Sequence, residues 1–319
     1  MKRILLIKTS SLGDVIHNLP VVNDILKHHP DAHIDWVVEE SFADIPRHHP
    51  NVQSIFTVAV RRWRKQLFHK KTWQEIRAFK QQMALQPYDL VIDTQGLLKS
   101  AILCTFAKGT KIGMDKHSAR EAIASYCYNQ TYAIARQQHA VERNRALVAH
   151  ACGYAPPVDQ PHYGITATAT STIKLPTPFV IGLHATSKES KLWPTPHWIA
   201  LAKALAERNL SLVLPWANHP EQTRAHQIAE NQTNVLVLPK LTIAHLASII
   251  QQAKLAIGVD TGLSHLSAAL NIPTVALYTD THPSRTGVMA STHSKAINLG
   301  GKHQIPSVTA VLEAMQAVT

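Results

Sequence analysis

Short apolar runs alternate with helical periodicities from one end of the chain to the other. Ile4, Leu5, Leu6 and Ile7 are apolar without interruption, and the run stops at a polar turn carrying Ser11, Gly13 and Asp14. Apolar residues then recur at Val15, Ile16, Leu19, Val22 and Ile25, the spacing of a helix with one buried face. The same reading predicts further strands at 33–38, 55–58, 90–93 and 111–113, with helices at 14–27, 72–85, 97–107 and 140–152. Between 155 and 178 the periodicity fades: Pro156, Pro157, Pro161, Pro176 and Pro178 stand among threonines and small residues, as in a linker. A second series follows, with strands at 179–184, 210–215, 235–238, 255–259 and 274–278. Its helices fall at 196–208, 221–230, 243–252, 262–270 and 307–318.

Strands alternating with helices imply an α/β fold of parallel sheets covered on both faces. At 319 residues the chain exceeds what one core usually supports, so two doubly wound, Rossmann-like domains are expected, 1–155 and 179–319, joined by the linker 156–178. The last helix is left open to pack back on the first half. Two such domains would face a central cleft, where ligands collect.

Composition narrows the function. Mean hydropathy is −0.08, and no run approaches the roughly 20 apolar residues of a membrane span. The first apolar run ends at Lys8, too soon for a signal peptide. Cys104, Cys127 and Cys152 are odd in number and lack CxxC spacing, which suits reduced cytoplasmic thiols. The net charge of +11 is concentrated in residues 1–150, which carry +8. Eight basic residues crowd 61–80 (Arg61, Arg62, Arg64, Lys65, Lys70, Lys71, Arg77, Lys80) against Glu75 alone, a field suited to an anionic partner.

Ligands of open α/β sheets bind beyond the carboxyl ends of the strands, and Asp14 lies at such an end. In the second half, LAIGVDTGLSHLSAAL repeats the strand–turn–helix design with Asp260, Thr261 and Gly262 in the turn. The first turn of that helix offers free N–H groups to an anion; the competing reading is that Asp260 or Thr261 serves only as its cap. HATSKESK, just past another strand, brings Thr186, Ser187, Lys188 and Lys191, donors suited to a diphosphate or simply a solvated turn. Glu221 at a helix start either meets ribose hydroxyls or complements the helix dipole. Walker A, GxGxxG and GxSxG motifs are absent, against P-loop, dinucleotide and serine-hydrolase chemistry.

The segments KTSSLGDVIHNLP, DWVVEESFADIP, VRRWRK, QQHAVER, HATSKESKLWP and VDTGLSHLSAAL resemble the type I lipopolysaccharide heptosyltransferases of glycosyltransferase family 9, nearly end to end. The resemblance implies the GT-B arrangement and inverting transfer of L-glycero-D-manno-heptose from ADP-L-glycero-D-manno-heptose to the Kdo of Kdo-lipid A. Asp14 then matches the general base, and Lys191 joins it as a catalytic group. Thr186, Ser187 and Lys191 match the phosphate set, with Thr261, Gly262, Leu263 and His265 beside them. Glu221 matches a ribose contact, Asp260 a sugar contact and Leu241 the main chain beside adenine. Ser187 stands where a threonine is frequent, Leu241 where methionine is common, and the segment 217–221 differs in length. On the acceptor side the matching residues are Ser11, Gly13, Arg61, Arg62, Arg64, Lys65, Lys99 and Arg120, with Trp63 a candidate for acyl chains or ordinary packing. No DxD motif is present, so neither a metal nor a resident cofactor is expected. The partners implied are the sugar nucleotide, the lipid-borne acceptor and the cytoplasmic face of the inner membrane, reached peripherally; nucleic acid is not. The alternatives are a type II heptosyltransferase or other GT-B enzyme, and a basic RNA-binding protein.

Overall fold

The computed structural model describes residues 2–169 and 173–319. Contacts divide the chain into two compact units, Met1–Asp159 and Gln160–Thr319. The linker stretch is shared between them, and Thr170, Ser171 and Thr172 within it lie outside the described residues. Arg145 holds the end of the first unit, donating to the Asp159 backbone oxygen (2.6 Å) and side chain (2.7 Å) while paired with Asp24. On the other side of the boundary Tyr163 is buried and donates to the Met289 backbone oxygen, so that part of the stretch packs with the second unit.

In the first unit β1 (Arg3–Ile7), β2 (His33–Glu39), β3 (Ser54–Val58), β4 (Pro87–Asp93), β5 (Lys108–Met114) and β6 (Gln130–Tyr132) form one sheet. Its helices are α1 (Leu12–Ile16), α2 (Pro20–His28), α3 (Asp44–Arg47), α4 (Val60–Trp63), α5 (Lys70–Leu85), α6 (Leu98–Thr105) and α7 (Ala140–Cys152). All pairings are parallel, in the order β3-β2-β1-β4-β5-β6. Ile4 to Ile7 are wholly buried, as expected of a central strand covered on both faces. Leu5, Ile7, Val37 and Val91 pack with Phe79 and Met83 of α5 and Leu103 of α6.

The second unit carries β7 (Phe179–Leu183), β8 (Ser211–Leu214), β9 (Val235–Val237), β10 (Leu255–Val259), β11 (Thr274–Tyr278) and β12 (Ala296–Gly300). Its helices are α8 (Thr195–Ala206), α9 (His219–Ala229), α10 (Ile243–Ile250), α11 (Gly262–Ala269), α12 (Pro283–Thr286) and α13 (Val308–Val318). The order β9-β8-β7-β10-β11-β12 repeats that of the first unit, strand for strand. The last helix, α13, belongs to this core: Val311, Ala314, Met315 and Val318 pack with Trp193, Trp198, Val275 and Leu277.

Departures from the sequence expectation have local causes. The helix expected at 14–27 is two helices, because Pro20 opens α2 and has no N–H to continue α1. The strands β6 and β12 were not foreseen; both are edge strands and at most part-buried, β6 has only three residues, and neither has the unbroken apolar run that marks a central strand. Among the described residues no helix is long and apolar enough to cross a membrane.

Candidate active site

A 3-2-1-4-5-6 sheet reverses direction between its first and fourth strands, and the crevice beyond that point is where such folds bind ligands. In this chain the switch points are β1/β4 and β7/β10. Both predicted clusters stand there.

In the first unit the chain leaves β1 through Lys8, Thr9 and Ser10 and turns into α1 at Ser11. Asp14, in the first turn, accepts from the Ser11 N–H (3.0 Å) and hydroxyl (3.1 Å), closing the helix start. Its other oxygen accepts from Arg120 at 2.7 Å, and the second guanidinium nitrogen lies 3.4 Å from the first oxygen. The carboxylate is 14% exposed, open enough to meet a substrate. Burial alone would favour its neutral form. Lys8, Arg120, the Ser11 N–H and His17 together outweigh that and hold the carboxyl well below the usual carboxylate range.

Gln95, at the end of β4, fixes the opposite wall. Its side-chain oxygen accepts from the Thr9 N–H (2.7 Å) and hydroxyl (2.8 Å), and its nitrogen donates to the Ser10 carbonyl. Gly96 follows at φ +65°, a left-handed turn that glycine adopts without cost; Asp93 accepts from the N–H groups of both Gln95 and Gly96. Lys99 donates to the Ser10 hydroxyl at 2.8 Å. Burial lowers its pKa, reinforced by Arg61 and Arg64. Lys8, Arg120 and Arg143 line one small pocket with Thr94, Gln95 and Asn144. Lys8 is buried, donates to the Thr94 carbonyl at 2.7 Å, and is pushed by that burial down to about 8 despite Asp14 nearby.

The basic segment divides by role. Arg62 is taken up by Glu40 (3.2 Å) and Glu75 (3.0 Å), so its charge is spent within the protein. Arg61 lies over the Phe42 ring, 5.0 Å from its centre. Arg64 and Lys65 are exposed. Trp63 is not available to acyl chains: it is buried in the core and donates its indole N–H to Glu75 at 2.7 Å. Helical spacing placed it one step beyond Arg62, on the inner side of α4, where a large ring is worth more than at the surface.

In the second unit Lys191 reaches from the loop after β7 to Asp260 at the end of β10, 2.6 Å apart. Thr281, past β11, donates to the same Asp260 oxygen at 2.6 Å, and Thr186 donates to the Asp260 backbone oxygen at 3.0 Å. Thr261 stands at the N-cap of α11 without a side-chain cap bond, which leaves the first-turn N–H groups of Gly262 and Leu263 facing outward from the helix end. His265 is buried in the next turn, and Ser187 is exposed at the rim. Leu241 is half-buried just before the Thr242 cap of α10. Glu221 accepts from the Ala217 N–H and the Asn218 amide, both at 2.8 Å, which is a helix-capping use of its carboxylate. Behind β7, His184 is wholly buried; its Nε2 meets the Pro215 carbonyl at 3.0 Å and therefore carries the proton. Burial, with Arg224 near, pushes it down to about 4. Among the described residues no group of three or more His, Cys, Asp or Glu is placed to hold a metal ion.

Sequence reading missed Lys8, Gln95, Arg143 and Thr281. A lysine ending a buried strand and a glutamine inside an Asp-Thr-Gln-Gly turn were the available signals for the first two. Arg143 and Thr281 join their clusters only through the sheet.

Residues 76–306 match glycosyltransferase family 9 (heptosyltransferase). Lipopolysaccharide heptosyltransferase 1 of Pseudomonas aeruginosa is 45% identical over 286 residues, 89% of this chain and 81% of that protein. The protein of the same name from Escherichia coli K12 is 44% identical over 289 residues, covering 89% and 90%. Among solved structures, E. coli heptosyltransferase WaaC with ADP superposes with a TM-score of 0.90 at 41% identity, covering 99% of both chains. E. coli ADP-heptose lps heptosyltransferase II shares the fold at a TM-score of 0.76 and 21% identity. Two Rossmann-like units of this order form a GT-B-type fold, and the similarity to the heptosyltransferases makes the protein a glycosyltransferase of that type. Within that class the chain belongs to glycosyltransferase family 9, the heptosyltransferases.

Proposed function

We propose that the protein transfers L-glycero-D-manno-heptose from ADP-L-glycero-D-manno-heptose to the Kdo of Kdo-lipid A, with inversion and without a metal, in building the lipopolysaccharide inner core. The observation that carries this reading is a pair of carboxylate–cation couples, Asp14–Arg120 and Lys191–Asp260, one at each switch point.

Inversion requires a base on the acceptor hydroxyl and relief for the departing diphosphate on the other side of the sugar. Asp14 is the base. Alone with Arg120 and Lys8 it stays ionised but is weakly basic. An acceptor bearing carboxylates and phosphates competes for those cations. As Arg120 turns toward it, with Lys8, Arg143, Lys99, Arg64 and Lys65 also in reach of anionic groups, Asp14 loses a stabilising charge and its basicity rises. Ser11 and Gly13 shape the turn that presents the carboxylate. In the second unit, Thr186, Ser187 and Lys191 with the α11 first turn receive the diphosphate. Lys191 exchanges Asp260 for phosphate oxygens, and Asp260, still oriented by Thr281, is freed toward sugar hydroxyls. A fixed ammonium and backbone N–H groups then supply the charge stabilisation that a divalent cation gives elsewhere. Leu241 stands on the nucleoside side, and Glu221, whose oxygens already accept from Ala217 and Asn218, completes it with the acceptor capacity each carboxylate oxygen keeps. The protein acts at the cytoplasmic face of the inner membrane, where its lipid-borne acceptor is presented.

Of the three rings on which the RNA-binding alternative would stack bases, Trp63 lies in the core, while Phe68 and Trp73 are exposed, so that reading loses one of its three platforms. The test is a mass-spectrometric assay with ADP-heptose and Kdo-lipid A in the presence of EDTA. A heptose mass increment is expected, and NMR of the product should show the inverted anomeric configuration. No increment, or one that depends on an added metal, overturns the corresponding part of the reading. Stabilisation by ADP over UDP and GDP is expected in a thermal-shift screen.

A further inference from the structure

One exposed apolar feature is used by neither half of the site. Leu67, Phe68 and Trp73 stand together at the start of α5, with Leu67 about half exposed, Trp73 59% exposed and Phe68 wholly exposed. They are held in place. Trp73 donates its indole N–H to the Leu67 carbonyl at 2.8 Å, and Thr72 donates its hydroxyl to the Gln66 carbonyl at 2.8 Å. The loop is thereby folded onto the helix, and the one polar atom of the Trp73 ring is satisfied inside the protein. What faces outward is aliphatic and aromatic surface.

The charges around this knob differ from those nearer the core. Arg62 is neutralised by two carboxylates, whereas Lys70, Lys71 and Arg77 are exposed and make no ion pair among the described residues. Lys70 and Arg77 stand one turn before and one turn after Trp73, so helical spacing puts all three on the same face. An apolar tip within a ring of free cations complements an anionic bilayer, where rings and alkyl chains enter the headgroup boundary and ammonium groups remain at the phosphates.

We propose that Leu67, Phe68 and Trp73 insert into the interface of an anionic lipid bilayer, with Lys70, Lys71 and Arg77 seated over its headgroups. This rests on the reading that the acceptor is lipid-borne, and adds how the protein reaches it. Binding then has two separable parts: a salt-sensitive part from the three cations and a salt-resistant part from the three apolar side chains.

The test is co-sedimentation of the full chain with phosphatidylglycerol–phosphatidylcholine vesicles and with phosphatidylcholine vesicles alone. The wild type is expected on the anionic vesicles. Combined Leu67→Ser, Phe68→Ser and Trp73→Ser is expected to lower bound protein by about tenfold at high salt. Combined Lys70→Gln, Lys71→Gln and Arg77→Gln is expected to abolish the low-salt gain. Turnover on a deacylated, water-soluble acceptor should be unchanged in both variants, which separates failure of docking from failure of the enzymatic reading. Brominated acyl chains should quench the wild type more than Trp73→Phe, a substitution that keeps the packing. Equal quenching of the two, or wild-type vesicle binding by the serine variant, overturns the proposal.

Discussion

The two units share a strand order and a switch-point location, yet they handle charge differently. At β1/β4 the carboxylate of Asp14 is surrounded: Arg120 and Ser11 bond to it and Lys8 lies near, so the anion is the centre of a cationic pocket. At β7/β10 the roles are reversed, and Lys191 is the group that a ligand would recruit, parked meanwhile on Asp260. Topology decides where a ligand goes; the loops beyond the strands decide which charge it meets. On the proposed function, a doubly wound sheet would host a base for a hydroxyl in one copy and a seat for a leaving anion in the other.

Substitutions that act on one unit only should break this comparison cleanly. Asp14→Asn removes the base and keeps the shape: turnover is expected to fall by about 10³ or more, with ADP-induced thermal stabilisation retained. Retained turnover would take Asp14 out of the role. Lys191→Ala is the mirror case. It should lose most of the ADP stabilisation and lower turnover by roughly 10²–10³, while acceptor binding persists. Unchanged ADP stabilisation would show that the diphosphate sits elsewhere.

A smaller effect tests the cationic pocket. Lys8 loses its proton from about pH 8, so kcat/KM should decline on the alkaline side there. Lys8→Arg keeps its charge and should move that limb upward by about one unit or more. A limb that stays put assigns it to another group.

A last effect concerns stability and leaves turnover aside. The folded pKa of His184 is depressed to about 4, below that of the unfolded chain, so the unfolded state binds the proton first. Stability should be full above about pH 6.5, fall as the pH drops toward 4, and level off below. His184→Gln should flatten that segment of denaturation midpoints against pH, by up to about 3 kcal/mol.

What could be read in advance follows from range. Ile4 to Ile7 and Leu255–Val259 announce themselves because burial on both faces demands an unbroken apolar run, and the Asp14 and Asp260 turns are marked by the strand ending just before them. The edge strands β6 and β12 gave no such sign, being solvated along one side. Trp63, set among Arg61, Arg62, Arg64 and Lys65, stayed open between surface and packing until α4 turned it inward.

Local order, then, was set by the residues themselves: strand, turn and helix each depend on neighbours a few positions away. The tertiary structure alone decided which charges meet. Arg120 reaches Asp14 across 106 residues and Lys191 reaches Asp260 across 69, because sheet order, not sequence distance, brings strand ends together. Coulombic and hydrogen-bonding partners act within a few ångströms in space, and no periodicity along a chain encodes that distance.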